Sequence, residues 1–111
     1  MENSRACIVF ITCSSTSEAE NLARVLVEER LAACCSIISN VASMYRWEGR
    51  IQHDEESLIL CKTVSERIPA LEERVHSLHS YDVPEILAVP VSHGSESYLA
   101  WLERSIRDES D

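Results

Sequence analysis

Eight side chains in this sequence could build a polar pocket with aromatic walls. They are Glu56, Lys62, His79, Tyr81 and Glu85, together with Tyr45, Trp47 and Trp101. Carboxylates, an ammonium and an imidazole can hold a small polar ligand or a metal ion, and rings beside them exclude water. The same residues could equally form a salt bridge between Lys62 and a carboxylate, or a buried polar network at an interface. Metal chemistry would draw on the five cysteines and His79. Thiol plus imidazole suits copper or zinc, whereas carboxylates suit harder ions. Cys13 stands at a strand end beside a loop and is expected to be the most accessible thiol. Cys13 and His79 are therefore the candidate metal ligands. Cys34 and Cys35 are consecutive in an extended run, so they point to opposite faces and cannot easily share one ion. Cys7 and Cys61 fall in strands expected to be central, which suits core thiols. His53 and Asp54 read as a solvated turn with weak surface metal binding at most. No closed tetrahedral set is visible, so no obligatory cofactor is expected. No nucleophile–base–orienter set is legible either, and the chain reads as a non-enzyme. Cys13 and His79 would form such a pair only if the fold joined them.

The 111 residues are expected to form one domain spanning 1–111. Nineteen acidic residues face ten basic ones, of which only Lys62 is a lysine, and the net charge is −9. A nucleic-acid partner would need cations to displace phosphate counterions, and an anionic membrane would be repelled. Neither is expected as a partner. The odd cysteine count lacks the spacing of a disulfide framework. Met1 to Ala6 is polar and the apolar run Cys7 to Ile11 is too short for a signal peptide or a membrane span. The reducing cytoplasm is the expected location.

The elements that must position these side chains alternate between strand and helix periods. Cys7-Ile8-Val9-Phe10-Ile11 is continuously apolar and suits a buried strand. Ser17 and Glu20 match a capping box, and Ala19, Leu22, Ala23 and Leu26 continue at helical spacing to about Arg30. Cys34 to Tyr45 reads as a strand with a bulge or bend near Asn40. Trp47-Glu48-Gly49-Arg50 is a turn, and a second long strand runs from Ile51 to Thr63. Ser65 to Ser80 carries Ile68, Leu71, Val75 and Leu78 as a helical stripe, with Pro69 in its first turn. His79 lies at the boundary of that stripe, and His76 is solvated. Asp82-Val83-Pro84 ends the helix. Ile86 to Val91 is a strand whose Pro90 marks an edge or bulge. Ser95 or Ser97 can cap a last helix with the face Leu99, Leu102 and Ile106, and Arg107 to Asp111 should fray.

This order predicts an α+β fold: a ferredoxin-like βαββαβ sandwich with a long β2–β3 hairpin and an extra C-terminal helix. An RNA-recognition domain would need stacking aromatics and basic residues on the sheet. A copper chaperone of this shape would need two cysteines where Cys13 stands alone. An acylphosphatase would need Gly and Arg in the segment Thr12 to Ser17. The strands offer almost no such aromatic or basic residues, Cys13 has no partner thiol in its loop, and Thr12 to Ser17 holds neither Gly nor Arg. The hairpin edges would expose unpaired backbone groups, and Tyr45 and Trp47 at its tip would be wasted on solvent. Self-association through the hairpin, with closed symmetry, is the expected remedy.

Leu31-Ala32-Ala33-Cys34, then Ser43, Tyr45, Trp47 and Gly49, then Glu56 and Lys62-Thr63, then His79, Tyr81, Pro84 and Glu85, and last Tyr98 with Trp101 follow one another along the chain. On these residues the chain resembles the CutA divalent-cation tolerance family over nearly its full length. Their shared order and spacing are specific. The chain differs from many members at Ser36 and carries an additional thiol at Cys35. The resemblance implies a ferredoxin-like subunit in a homotrimer joined through the long strands. It further implies a part in tolerance of copper and other divalent metal ions, read here as binding of modest affinity. The alternative it implies is a P-II-like trimeric sensor of a small ligand, or a protein-interaction scaffold.

Overall fold

Alternation of burial along two central strands organises the fold. The structure, a computed structural model, describes residues 5–107. β1 (Ala6–Cys13) lies between β3 (Arg50–Val64) and β4 (Ile86–Pro90), and β2 (Cys34–Trp47) completes an antiparallel sheet of order β2-β3-β1-β4. On one face Val9 opposes Cys61 and Ile11 opposes Ile59, and all four are fully buried. Against this face pack α1 (Thr16–Glu28), through Ala19, Leu22 and Leu26, and α2 (Ile68–Leu78), through Leu71 and Val75. Each such Leu stabilises the fold by roughly 1.5–3 kcal/mol relative to an exposed one. α3 (Glu96–Ile106) sets Leu99, Leu102 and Ile106 against Ala6, Ala33 and Val64 in a second cluster. The α+β class, the βαββαβ order and the extra helix are as the sequence predicts.

The other sheet face carries Ile8, Phe10, Ile38, Leu58, Leu60, Leu87 and Val89, by the same alternation. These residues are half-buried or exposed. Ile38 is 48%, Leu87 62% and Val89 43% exposed.

The hairpin strands have 14 and 15 residues. Their register shifts between Ile38 and Val41, where Asn40 adopts φ 61°, so the bend falls where expected. At the tip Glu48 (φ 51°) and Gly49 (φ 77°) both take the left-handed conformation that a tight two-residue hairpin turn demands.

Four local readings are corrected. The cap of α1 is Ser15, whose Oγ accepts the Glu18 N–H at 3.1 Å, and not Ser17. Both serines have an acid three residues on; Ser15 wins because its acid turns back to the chain entering the helix. The C-terminus of α1 comes at Glu28, because Arg30 enters the left-handed region at φ 58°. Its N–H bonds to Val27 O and the Leu31 N–H to Leu26 O, a paired closure that glycine usually serves. The Arg30 guanidinium donates to Ser105 O at 2.8 Å and to Arg107 O at 3.2 Å, tying this turn to the end of α3. The segment after β3 begins as a 3-10 turn (Ser65–Arg67) and its helix stops at Leu78, with Pro69 in the first turn. β4 ends at Pro90, on the sheet edge, and the expected last strand residue Val91 lies beyond it. The expected fraying beyond Arg107 concerns residues outside the described ones.

Candidate functional site

His79 follows the last residue of α2 and turns into extended backbone (φ −74°, ψ 144°), which directs its ring toward the end of β1. The side chain is fully buried. Nε2 lies 2.7 Å from Thr12 O and Nδ1 lies 3.0 Å from the Tyr81 N. A carbonyl only accepts and an amide N–H only donates, so the ring carries its proton on Nε2. The Tyr81 ring tilts against His79 with centroids 4.7 Å apart, and its hydroxyl donates to Glu56 Oε2 at 2.6 Å. Burial first, and then the hydrogen bond to Glu56, push the Tyr81 phenol well above its ordinary value.

Beneath His79 stand two more ligand types. One ligand atom each from Cys13, Glu18 and His79 lie within 4.8 Å of one another. Glu18 Oε1 accepts the Ser14 N–H at 3.0 Å and the Ser14 hydroxyl at 2.9 Å, and Oε2 accepts the Ser80 N–H at 2.8 Å. Burial alone would push this carboxyl up; the bonds from Ser80 and Ser14 outweigh it and hold the carboxyl below its ordinary value. Oε2 also lies 3.8 Å from His79 Nδ1. The structure thus joins Cys13 to His79. It also corrects the expected accessibility of Cys13, which is fully buried because α1 and the turn carrying His79 close over the end of β1. Burial, then the negative charges of Glu18 and Glu56, push the thiol up to about 12.

The remaining candidates lie elsewhere within one chain. Lys62 shares the sheet face of Glu56 but stands six residues along β3, about 20 Å at the rise of a strand. Its ammonium donates to the Ser36 hydroxyl rather than to a carboxylate. There it lines a crevice of about 330 Å³ with Ile8, Val91, His93, Tyr98 and Leu102. Trp101 belongs to this end through its ring contact with Tyr98 at 5.5 Å, and Tyr98 OH lies 3.5 Å from Cys34 Sγ. Glu85 is exposed just before β4. Tyr45 and Trp47 lie out on the hairpin, with the Tyr45 hydroxyl bonded to Asp54 and Trp47 60% exposed. Cys34 and Cys35 face opposite ways as expected: Cys34 meets Tyr98, and Cys35 meets Cys61. Sequence reasoning missed Glu18. The signal was the Ser15–Glu18 spacing, which overlaps the Ser17–Glu20 pair and reads equally well.

A small α+β fold of ferredoxin-like order gathers a thiol, a carboxylate and an imidazole at one end of its sheet. Residues 7–105 match the family described as CutA1 divalent ion tolerance protein, and the chain belongs to that family. It is 47% identical over 98 residues to the divalent-cation tolerance protein CutA of Thermus thermophilus, covering 88% of this chain and 95% of that one. It is 41% identical over 101 residues to the chloroplastic protein CutA of Arabidopsis thaliana and 42% identical over 102 residues to protein CutA of Homo sapiens. Those matches cover 91% and 92% of this chain but only 56% and 57% of the relatives, so the chain spans about half the length of each. Among solved structures it superposes on CutA1 from Oryza sativa with a TM-score of 0.92 at 37% identity, over 98% of this chain and all of that one.

Proposed function

We propose that this chain serves divalent-cation tolerance by binding a copper or zinc ion, with modest affinity, at Cys13, Glu18 and His79. The clustering of three ligand types within 4.8 Å carries the reading. A mixed sulfur, nitrogen and oxygen set suits ions of intermediate softness. Affinity is modest because two of the three ligands must give something up. The Cys13 thiol must lose a proton that its surroundings hold up to about 12, and His79 must release either Thr12 or Tyr81. Nothing in this reading requires catalysis.

The functional unit in this reading is a homotrimer. The apolar sheet face with Leu87 and Val89 exposed, and the outer edge of β2, support it, since soluble chains seldom leave both bare. Five free thiols favour a reducing compartment such as the cytoplasm. No described helix is long and apolar enough to cross a membrane.

Isothermal titration with zinc and with copper tests the binding. Saturable binding weakened at least about tenfold by His79→Ala and by Cys13→Ser is expected. Absence of binding below millimolar metal would sink the direct metal role.

One observation favours a second, P-II-like reading. The crevice beside Lys62 is apolar but for one ammonium, with the His93 imidazole and the Tyr98 hydroxyl at its margin, which suits a small apolar ligand with one anionic group. Thermal stabilisation by such a molecule with metals chelated away, lost in Lys62→Met, would support it; a flat response across a panel of small carboxylates and phosphates counts against it.

A further inference from the structure

We propose that Cys35 and Cys61 form an oxidation site, a dithiol that a hydroperoxide converts reversibly into a disulfide across the β2–β3 ladder. The two residues are directly opposite in register. Their sulfurs are 3.6 Å apart, and no other two cysteines in the described residues share a hydrogen bond. Opposed residues of an antiparallel pair have Cα atoms about 4.5–5.5 Å apart. That falls inside the range of about 4.4–6.8 Å that a disulfide spans. The sulfurs must approach by about 1.5 Å to reach bonding distance, a movement of side chains rather than strands. Cys34 does not compete from the same place, because it lies on the other sheet face against Tyr98.

The pair is also unequal, as a reactive dithiol must be. Cys61 is fully buried, whereas Cys35 is only partly so. The hydrogen bond with Cys61 and the charge of Lys62 favour the Cys35 thiolate against its burial. Contact with Cys35 and burial push the Cys61 thiol up. Cys35 is thus the attacking sulfur and Cys61 the resolving one. Hydrogen peroxide is small enough to reach a half-buried sulfur. The Cys35 sulfur attacks one peroxide oxygen; an S–O bond forms, the O–O bond breaks, and the departing hydroxide leaves as water with the thiol proton. The Cys61 sulfur then attacks the Cys35 sulfenic sulfur; the S–S bond forms, the S–O bond breaks, and a second water carries off the Cys61 proton. The two thiols lose two electrons and the peroxide gains them. The product closes the 25 residues 36–60 into a loop at the base of the hairpin, restricting the unfolded chain more than the folded one.

The test treats the reduced full chain with hydrogen peroxide, blocks remaining thiols in denaturant, and digests with trypsin without reductant. The expected product is peptide 31–46 joined to peptide 51–62, two hydrogens lighter than their sum and separated by dithiothreitol. Both cysteines of interest share a peptide with Cys34 or stand alone, so Cys34→Ser resolves the assignment: the link persists there and is absent in Cys35→Ser. The oxidised Cys34→Ser protein should melt at least about 5 °C above its reduced form. A link that requires Cys34, thiols at 35 and 61 that remain open to blocking, or oxidation stopping at separate sulfinic acids would each overturn the proposal. If Cys35→Ser does not fold, the Cys34→Ser digest decides alone.

Discussion

The Tyr81 hydroxyl donates to Glu56 Oε2 at 2.6 Å, joining the segment after α2 to the middle of β3 across 25 positions of sequence. This bond helps to hold His79, because Tyr81 also gives its backbone N–H to His79 Nδ1, beside the bond of Nε2 to Thr12 O. Removing the hydroxyl should therefore disturb both stability and the cluster of Cys13, Glu18 and His79. Tyr81→Phe leaves a half-buried carboxylate without its donor and should cost about 1–2 kcal/mol in urea denaturation. It also alters the alkaline limb. The folded phenol is raised above its ordinary value, so its contribution is whole below about pH 10 and fades as pH rises toward the folded value. The gap between wild type and Tyr81→Phe should narrow only above about pH 10. An unchanged gap there would mean that the phenol proton is not held by the fold.

Acid should act through Glu18 with the opposite sign. Its folded carboxyl is lower than in the unfolded chain despite burial, owing to Ser80 and Ser14. The stability it supplies is present above the ordinary carboxyl range, about pH 4.3, and is lost as pH falls through the folded value. Glu18→Gln should be less stable than wild type at pH 7, and the difference should shrink as pH falls below about 4. Urea midpoints measured from pH 3 to 7 check this; a constant difference would assign the loss to packing instead.

What the sequence made legible was local. The apolar spacing of Ala19, Leu22, Ala23 and Leu26, and of Leu71 and Val75, depends only on helical period, and all six are buried. Asn40 and Gly49 announced a bulge and a turn through backbone chemistry of their own, and both adopt or adjoin left-handed backbone. The site was less legible because it is made where elements meet. Cys13 looked accessible from its place at a strand end; the segment His79 to Tyr81 folding over that end is a tertiary event. Glu18 was hidden by two overlapping capping spacings. The distance of Lys62 from Glu56, by contrast, follows from strand rise alone, since six residues of strand keep two side chains on one face but about 20 Å apart.

The hairpin tip offers a stabilising change. Glu48 sits at φ 51° beside Gly49 at φ 77°, and asparagine tolerates that left-handed position better than glutamate. Glu48→Asn should raise stability by about 0.5–1 kcal/mol, seen as a higher Tm. A lower Tm would show that the Glu48 side chain contributes to contacts made by the tip.

Self-association should fail when charge is placed on the bare sheet face. Leu87 and Val89 are 62% and 43% exposed on an edge strand, so neither is required for the interior of one chain. Leu87→Glu with Val89→Glu should leave helix content and the core intact while introducing two carboxylates that a subunit contact would have to desolvate. An uncompensated buried charge costs several kcal/mol, enough to dissociate a trimer at micromolar concentration. Sedimentation equilibrium should give about three times 12.5 kDa for the unaltered chain and a single 12.5 kDa species for the double variant. An unaltered chain that sediments as a monomer would remove the homotrimer, and with it the explanation for an apolar face that α1 and α2 leave open on the far side of the sheet.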